Sequence, residues 1–156
     1  MSASFEIRVE NLPAFTSSVR RVPESLTMNL VKAADQSGVY GESIAKQHVA
    51  VWKGITKASI QKQPVVVSAG MVSVTVSVGV LWAWWLEHGR GPIEARPGGV
   101  LRFVARDGTI VFAKRVGPAA AQPFMQPAFD ALLNGVAERF FNDAVAKTIA
   151  EFGGAA

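Results

Sequence analysis

A chain of 156 residues suits one domain and can bury a real core, and 49% hydrophobic against 18% charged residues argues for a folded chain over a disordered one. There is no cysteine, which excludes disulfides, thiolate catalysis and cysteine-based zinc sites. The net charge of +4 resides in one segment, where Arg90, Arg96, Arg102, Arg106, Lys114 and Arg115 are opposed only by Glu94 and Asp107 and the remainder of the chain sums to zero.

Ser4 to Val9 alternates Phe5, Ile7 and Val9 with polar residues, which predicts a short first strand ended by Asn11-Leu12-Pro13. A helical turn is expected over Ala14 to Arg21, and Pro23 fits the first position of a helix. Leu26, Leu30, Ala33, Ser37, Gly41, Ile44, His48, Val51 and Ile55 then recur at steps of three and four. That period predicts one long helix from about Pro23 to Ser59, bent near Gly38; a break at Ser37-Gly38 is the alternative. Gly38 and Gly41 on that stripe would let a neighbouring element approach closely. Gln63-Pro64 closes the helical region, and Val65 to Val67 reads as a short strand. Val72, Val74, Val76, Val78 and Val80 alternate with Ser73, Thr75, Ser77 and Gly79, the pattern of a half-buried strand and not of a membrane span.

Trp82 to Leu86 lacks that alternation and predicts a short helix delivering Glu87 to the Gly89-Arg90-Gly91-Pro92 loop. Val100 to Arg106 and Thr109 to Val116 predict a hairpin across Asp107-Gly108. A two-residue loop would pair Arg106 with Thr109 and Phe103 with Phe112. Leu101, Phe103, Ala105, Ile110 and Phe112 would then face the core, with Arg102, Arg106, Ala113 and Arg115 outward. After the Gly117–Pro123 loop, Pro127 opens a last helix with Phe129, Leu133, Val136, Phe140, Ile149 and Phe152 on one stripe. There is no internal repeat, and the whole chain, 1–156, reads as a single α+β domain: a long N-terminal helix and a C-terminal helix packed on a small antiparallel sheet.

Chemistry is sparse. His48 sits on the apolar stripe, as a core or interface residue. His88 directly follows Glu87, and adjacent residues do not make a chelate, so no metal site is expected. No Gly-x-Ser-x-Gly elbow is present, and Gly89-Arg90-Gly91-Pro92 lacks the Lys-Ser/Thr ending of a phosphate loop. Neither an enzyme nor a cofactor is expected. Trp82, Trp84 and Trp85 read as core or interface anchors in preference to a base-stacking platform. The basic segment suits DNA or an acidic protein face, with Arg96, Arg102 and Arg106 as the facing residues; its bland reading is a solvated hairpin edge protected by charge. The apolar surplus points to self-association. The start, Met-Ser-Ala-Ser-Phe-Glu, has no basic n-region or long apolar run, so no signal peptide is expected.

Three phrases between Trp82 and Asp130 carry a resemblance: Trp-Ala-Trp-Trp-Leu-Glu-His-Gly-Arg-Gly-Pro, then Phe-Ala-Lys-Arg-Val, then Gln-Pro-Phe-Met-Gln-Pro-Ala-Phe-Asp. In this order they resemble the neck or tail-completion (head-tail joining) proteins of long-tailed bacteriophages. His88 and Arg90 stand where that family more often has Phe and Thr, and its Ala-Pro-x-Asp-Thr-Gly-x-Leu phrase is replaced here by Ser59-Ile60-Gln61-Lys62-Gln63-Pro64. The resemblance implies a non-enzymatic ring subunit between the connector and the tail tube. Its partners would be copies of itself, the connector or stopper, the tail-tube or terminator proteins, and transiently DNA, with no membrane. It implies a place in the virion, and in the host cytoplasm during assembly. The assembly residues it marks are Glu87, Gly89, Gly91, Pro92, Phe112, Lys114, Arg115, Pro123, Phe124 and Pro127, with Trp85 and Arg90 beside them as further assembly candidates. A terminator or stopper ring, or a basic DNA-binding accessory protein, are the alternatives.

Overall fold

The computed structural model describes residues 4–8, 24–51, 54–105 and 107–153. The expected turn at Ala14 to Arg21, and Val9, Pro23 and Arg106, lie outside them. The architecture is α+β, as the sequence predicts. Strand β1 (Ser4–Arg8) is followed by helix α1 (Glu24–His48), a short helix α2 (Ile55–Ser59), and strands β2 (Ile60–Lys62), β3 (Val66–Ser68) and β4 (Met71–Val78).

Strand β4 organises the sheet. One of its edges pairs antiparallel with β1, and the other with β2 and β3 in succession. Pro64, which has no N–H to donate, falls in the gap between those two short strands. Ala69 (φ 50°) and Gly70 (φ 77°) close the β3–β4 hairpin with both central residues left-handed, as a type I′ turn requires. Val72, Val74, Val76 and Val78 are all buried, and the Ser/Thr positions between them are half-buried, so the alternation holds residue for residue.

Helix α1 lies across that valine face without a break at Gly38 or Gly41. Gly38 is the point of closest approach: a Cβ there would come within 2.6 Å of Val74 Cγ2 and 2.8 Å of Lys62 Cδ. The helix is shorter than the periodicity predicts, ending at His48. The chain must return antiparallel to β4 to seat Ile60, and Gly54, at φ 69°, opens α2 on the way. As a result His48, Val51 and Ile55 are exposed, which corrects the core placement of His48; its Nδ1 lies 2.9 Å from the Ile44 carbonyl oxygen.

Helix α3 (Ala83–His88) is followed by four short strands, β5 (Ile93–Glu94), β6 (Leu101–Val104), β7 (Ile110–Ala113) and β8 (Arg115–Val116), and then by α4 (Met125–Ala131) and α5 (Ala137–Gly153). The single C-terminal helix expected from Pro127 is in fact two. Between them Leu132–Val136 forms a widened turn in which Asn134 has ψ 33° and Gly135 has φ 90°. The change of phase buries Ala128, Leu132, Ala144 and Thr148 and leaves Leu133 and Ile149 exposed, against the predicted stripe.

The core has two parts. One gathers Ala45, Ile60, Val76, Val78, Ala83, Phe124 and Ala128; the other gathers Leu26, Leu30, Ala33, Val72, Val74 and Ala144, with Phe140, Phe141 and Val145 packed against it. At the second, buried Asn29 donates from Nδ2 to Thr148 Oγ1 at 3.0 Å, tying α1 to α5. Among the described residues no helix is long and apolar enough to cross a membrane.

Candidate functional site

Helix α3 carries Glu87 into the protein, where its side chain is buried against the start of α4. Phe124 caps α4 by position but has no side-chain oxygen to offer. Glu87 supplies the cap from 37 residues away: Oε2 accepts the Phe124 N–H at 2.8 Å and the Met125 N–H at 3.0 Å, and Oε1 accepts the Gln126 N–H at 2.8 Å. The next residue, Pro127, has no N–H. All four backbone donors that a helix start would leave orphaned are therefore accounted for. A carboxylate at the positive end of a helix is also favoured electrostatically.

The loop after α3 closes the same clasp. Leu86 O accepts the Gln122 N–H at 2.7 Å, and Arg90 and Ala119 exchange backbone hydrogen bonds at 3.0 and 2.9 Å. Gly89 makes this approach possible. Its φ is 76°, and a Cβ there would lie 2.8 Å from the Ala119 carbonyl oxygen and 2.9 Å from Ala121 N. The Arg90 guanidinium folds back onto the carbonyls of Gly91 (3.2 Å) and Gly117 (3.3 Å). Phe124 is fully buried beneath the clasp.

From the Arg90–Ala119 bridge a two-stranded ribbon extends through the β5–β8 pair to the β6–β7 pair. Here the predicted hairpin is corrected in two respects. Its register is Leu101↔Ala113, Arg102↔Phe112, Phe103↔Val111 and Val104↔Ile110, one residue away from the expected pairing. The loop holds three residues instead of two: Gly108, at φ 90°, donates to Ala105 O, and Ala105 donates to Thr109 O. Asp107 accepts from the Thr109 backbone N–H at 2.9 Å and from the Thr109 hydroxyl, which lowers its carboxyl pKa.

A one-residue slip turns side chains to the other face. Arg102 now shares a face with Phe112, Val104 and Ile110, and neither face meets the core. Phe103, Val104, Ile110 and Phe112 are all exposed, and no described residue of this arm joins either core cluster. Exposed Arg115 and Glu94 form the ribbon's ion pair at 3.5 Å.

Trp82, Trp84 and Trp85 are likewise not core residues. Trp82, Trp84 and Trp85 are 44%, 45% and 54% exposed. Trp82 donates its indole N–H to Thr56 Oγ1 at 2.9 Å, and Trp84 stacks on His88 with ring centroids 3.9 Å apart. Trp82 and Trp85, with Val51, Ile55, Leu86 and Arg90, wall an apolar groove of about 850 Å³ at the root of the arm.

The structure thus sorts the sequence-marked residues into two groups. Glu87, Gly89, Arg90 and Phe124, with Pro123 in the loop and Pro127 in the first turn of α4, form the clasp. Trp85, Gly91, Pro92, Arg96, Arg102, Phe112, Lys114 and Arg115 lie on the groove, the ribbon or the approach to it. A Cβ on Gly91 would meet nothing within 4 Å, so close packing does not demand that glycine. Among the described residues no group of three or more His, Asp or Glu side chains is placed to hold a metal. What the sequence reading missed was the groove and the Glu87 cap; the signal for the cap was a helix start with no capping residue of its own and a proline at its third position.

No protein-family model matches this chain, and neither does any curated protein or solved structure.

Proposed function

We propose that this chain is a structural, non-catalytic subunit of a bacteriophage neck, a tail-completion or head-tail joining protein. It forms a ring between the connector and the tail tube, through which DNA passes. The observation that supports this reading best is the convergence of the three family-like phrases on one construction. Glu87 of the first phrase caps the helix opened by the third, at 2.8–3.0 Å, and the second phrase supplies the return strand of the arm that leaves the clasp. Exposed tryptophans and an apolar arm are features of a surface that is covered in an assembly. Its flanking partners would be the connector or stopper on one side and tail-tube or terminator proteins on the other, and its place the virion, after assembly in the host cytoplasm.

The test is a reconstruction of the particle that encodes this chain, with negative-stain imaging and the solution mass of the purified protein. Ring density at the neck is expected, and particles without density for this chain would overturn the reading. A terminator or stopper ring would place the same density at a neighbouring level.

The basic segment supports a second reading, a DNA-binding accessory protein. The two separate in a gel-shift titration at two salt concentrations. A ring through which DNA slides should bind DNA weakly, and that binding should fall steeply with salt because each phosphate contact releases counterions. The accessory reading requires tight binding near physiological salt that charge reversal at Arg102 and Arg106 abolishes.

A further inference from the structure

Building on the ring reading, we propose that the β6–β7 arm of one copy lies in the tryptophan-walled groove of a second copy, joining copies head to tail. A lone two-stranded hairpin is marginal in water, and this one exposes apolar side chains on both faces. Phe103, Val104, Ile110, Phe112 and Val100 are between 38% and 62% exposed. Together they leave on the order of 400–500 Å² of side chain in water, given ~150–250 Å² for a whole large residue. That is about half of the roughly 800 Å² each partner buries in a stable interface.

The occupant is a second copy because of reach and chemistry. From the Ala119 bridge to Thr109 the return strand runs about ten residues, at most roughly 33 Å at ~3.3 Å per residue, and residues 95–100 of the outgoing strand loop out between its two paired stretches. Among the described residues none between Ile93 and Val116 lines the groove, so the arm does not fill the groove at its own root and is left to meet another copy's. The groove is preformed: the Trp82 indole is held by Thr56 and the Arg90 guanidinium by two backbone carbonyls, so little ordering is needed on docking. The arm's more exposed face presents Arg102 directly opposite Phe112. An arginine beside an aromatic ring complements a groove walled by indoles, whose faces attract guanidinium groups. Arm and groove are different surfaces of one chain, so every copy both gives and receives. A contact of that kind closes into a ring when its rotation permits.

The absence of cysteine makes the test direct. Val104→Cys on the arm and Ala120→Cys, at a residue that also lines the groove, are combined in one chain, and the full-length protein is oxidised mildly, alone and in assembled particles. A ladder of dimers, trimers and larger species on a non-reducing gel is expected, cleared by reductant, with each single variant stopping at dimer. An internally linked monomer would mean that the arm returns to its own groove, and would overturn the proposal. Oligomers by solution mass without a ladder would overturn it too, while leaving the ring reading intact. Neither oligomer nor ladder, in solution or in particles, would remove both. As a second variant, Phe112→Glu lies outside both core clusters. It should leave the thermal midpoint of the dilute monomer unchanged and weaken self-association by at least about tenfold, as for an aromatic anchor; unchanged association would count against the arm.

Discussion

Glu87 and Pro127 divide between them the four backbone donors that open α4: the carboxylate of one accepts three, and the ring of the other abolishes the fourth. The cap comes from a separate helix, so the same bonds that start α4 also lock α3 and its glycine loop in place. Hydrogen bonds to a charged acceptor contribute about 1.5–3 kcal/mol each, and leaving a buried donor unpartnered costs a similar amount.

Glu87→Gln should therefore lower stability by about 1.5–3 kcal/mol, since its amide nitrogen turns one donor toward another. Glu87→Ala should cost more, because all three N–H groups lose their acceptor. Urea denaturation midpoints check this; equal midpoints for wild type and both variants would contradict the cap.

Two glycines of one loop should behave oppositely. Gly89→Ala places a Cβ against backbone atoms at 2.8–2.9 Å at a left-handed φ, and should cost at least about 1–3 kcal/mol. Gly91→Ala meets open space and should change stability by less than about 0.5 kcal/mol. A thermal melt of each variant distinguishes them.

Phe124→Ala empties a fully buried site in the first core cluster and should cost about 3–5 kcal/mol. Arg102→Ala on the exposed arm should alter folding by less than about 0.5 kcal/mol. Equal shifts in thermal midpoint would refute the distinction between clasp and arm.

Glu42 adds an acid-sensitive tie between α1 and β2. Burial alone would raise its carboxyl pKa, but the hydrogen bond from Lys46, the one from the Lys62 backbone N–H at 2.9 Å, and the charges of both lysines outweigh it, so the net shift is downward. A carboxyl whose folded pKa is depressed contributes stability above its unfolded value, here 4.5, and loses it as pH falls through the lower folded value. The wild type should therefore lose stability relative to Glu42→Gln as pH is lowered from 6 to about 3. A difference between their urea midpoints that stays constant over that range would refute it.

How much of this was legible depended on whether one pattern admitted one structure. The valine alternation of β4 had one solution, because only one face could be buried, and the three–four period carried α1 through two glycines. The arm had no such constraint. Apolar residues occupy both its faces, so hydrophobic pattern could not choose the register, and Asp107-Gly108 serves a two-residue or a three-residue loop equally well. Gly135 interrupts the C-terminal stripe in the sequence, yet periodicity alone continues across it. The Glu87 cap joins elements too far apart for any local rule, and only the missing cap at Phe124 and the proline at 127 hinted that a distant acceptor was needed.

The Gly135 break also parts the two halves of the core. Helix α4 belongs to the cluster around Phe124, and α5 to the one around Leu30 and Ala144; among the described residues only α1 and β4 enter both. A push on the arm reaches α4 through the clasp, and it reaches α5 either across the widened turn at Gly135 or by way of that one long helix and one strand. The protein is thus built as two blocks on a common spar: strain taken up at the Glu87 end can be absorbed at the glycine joint before it disturbs the far block.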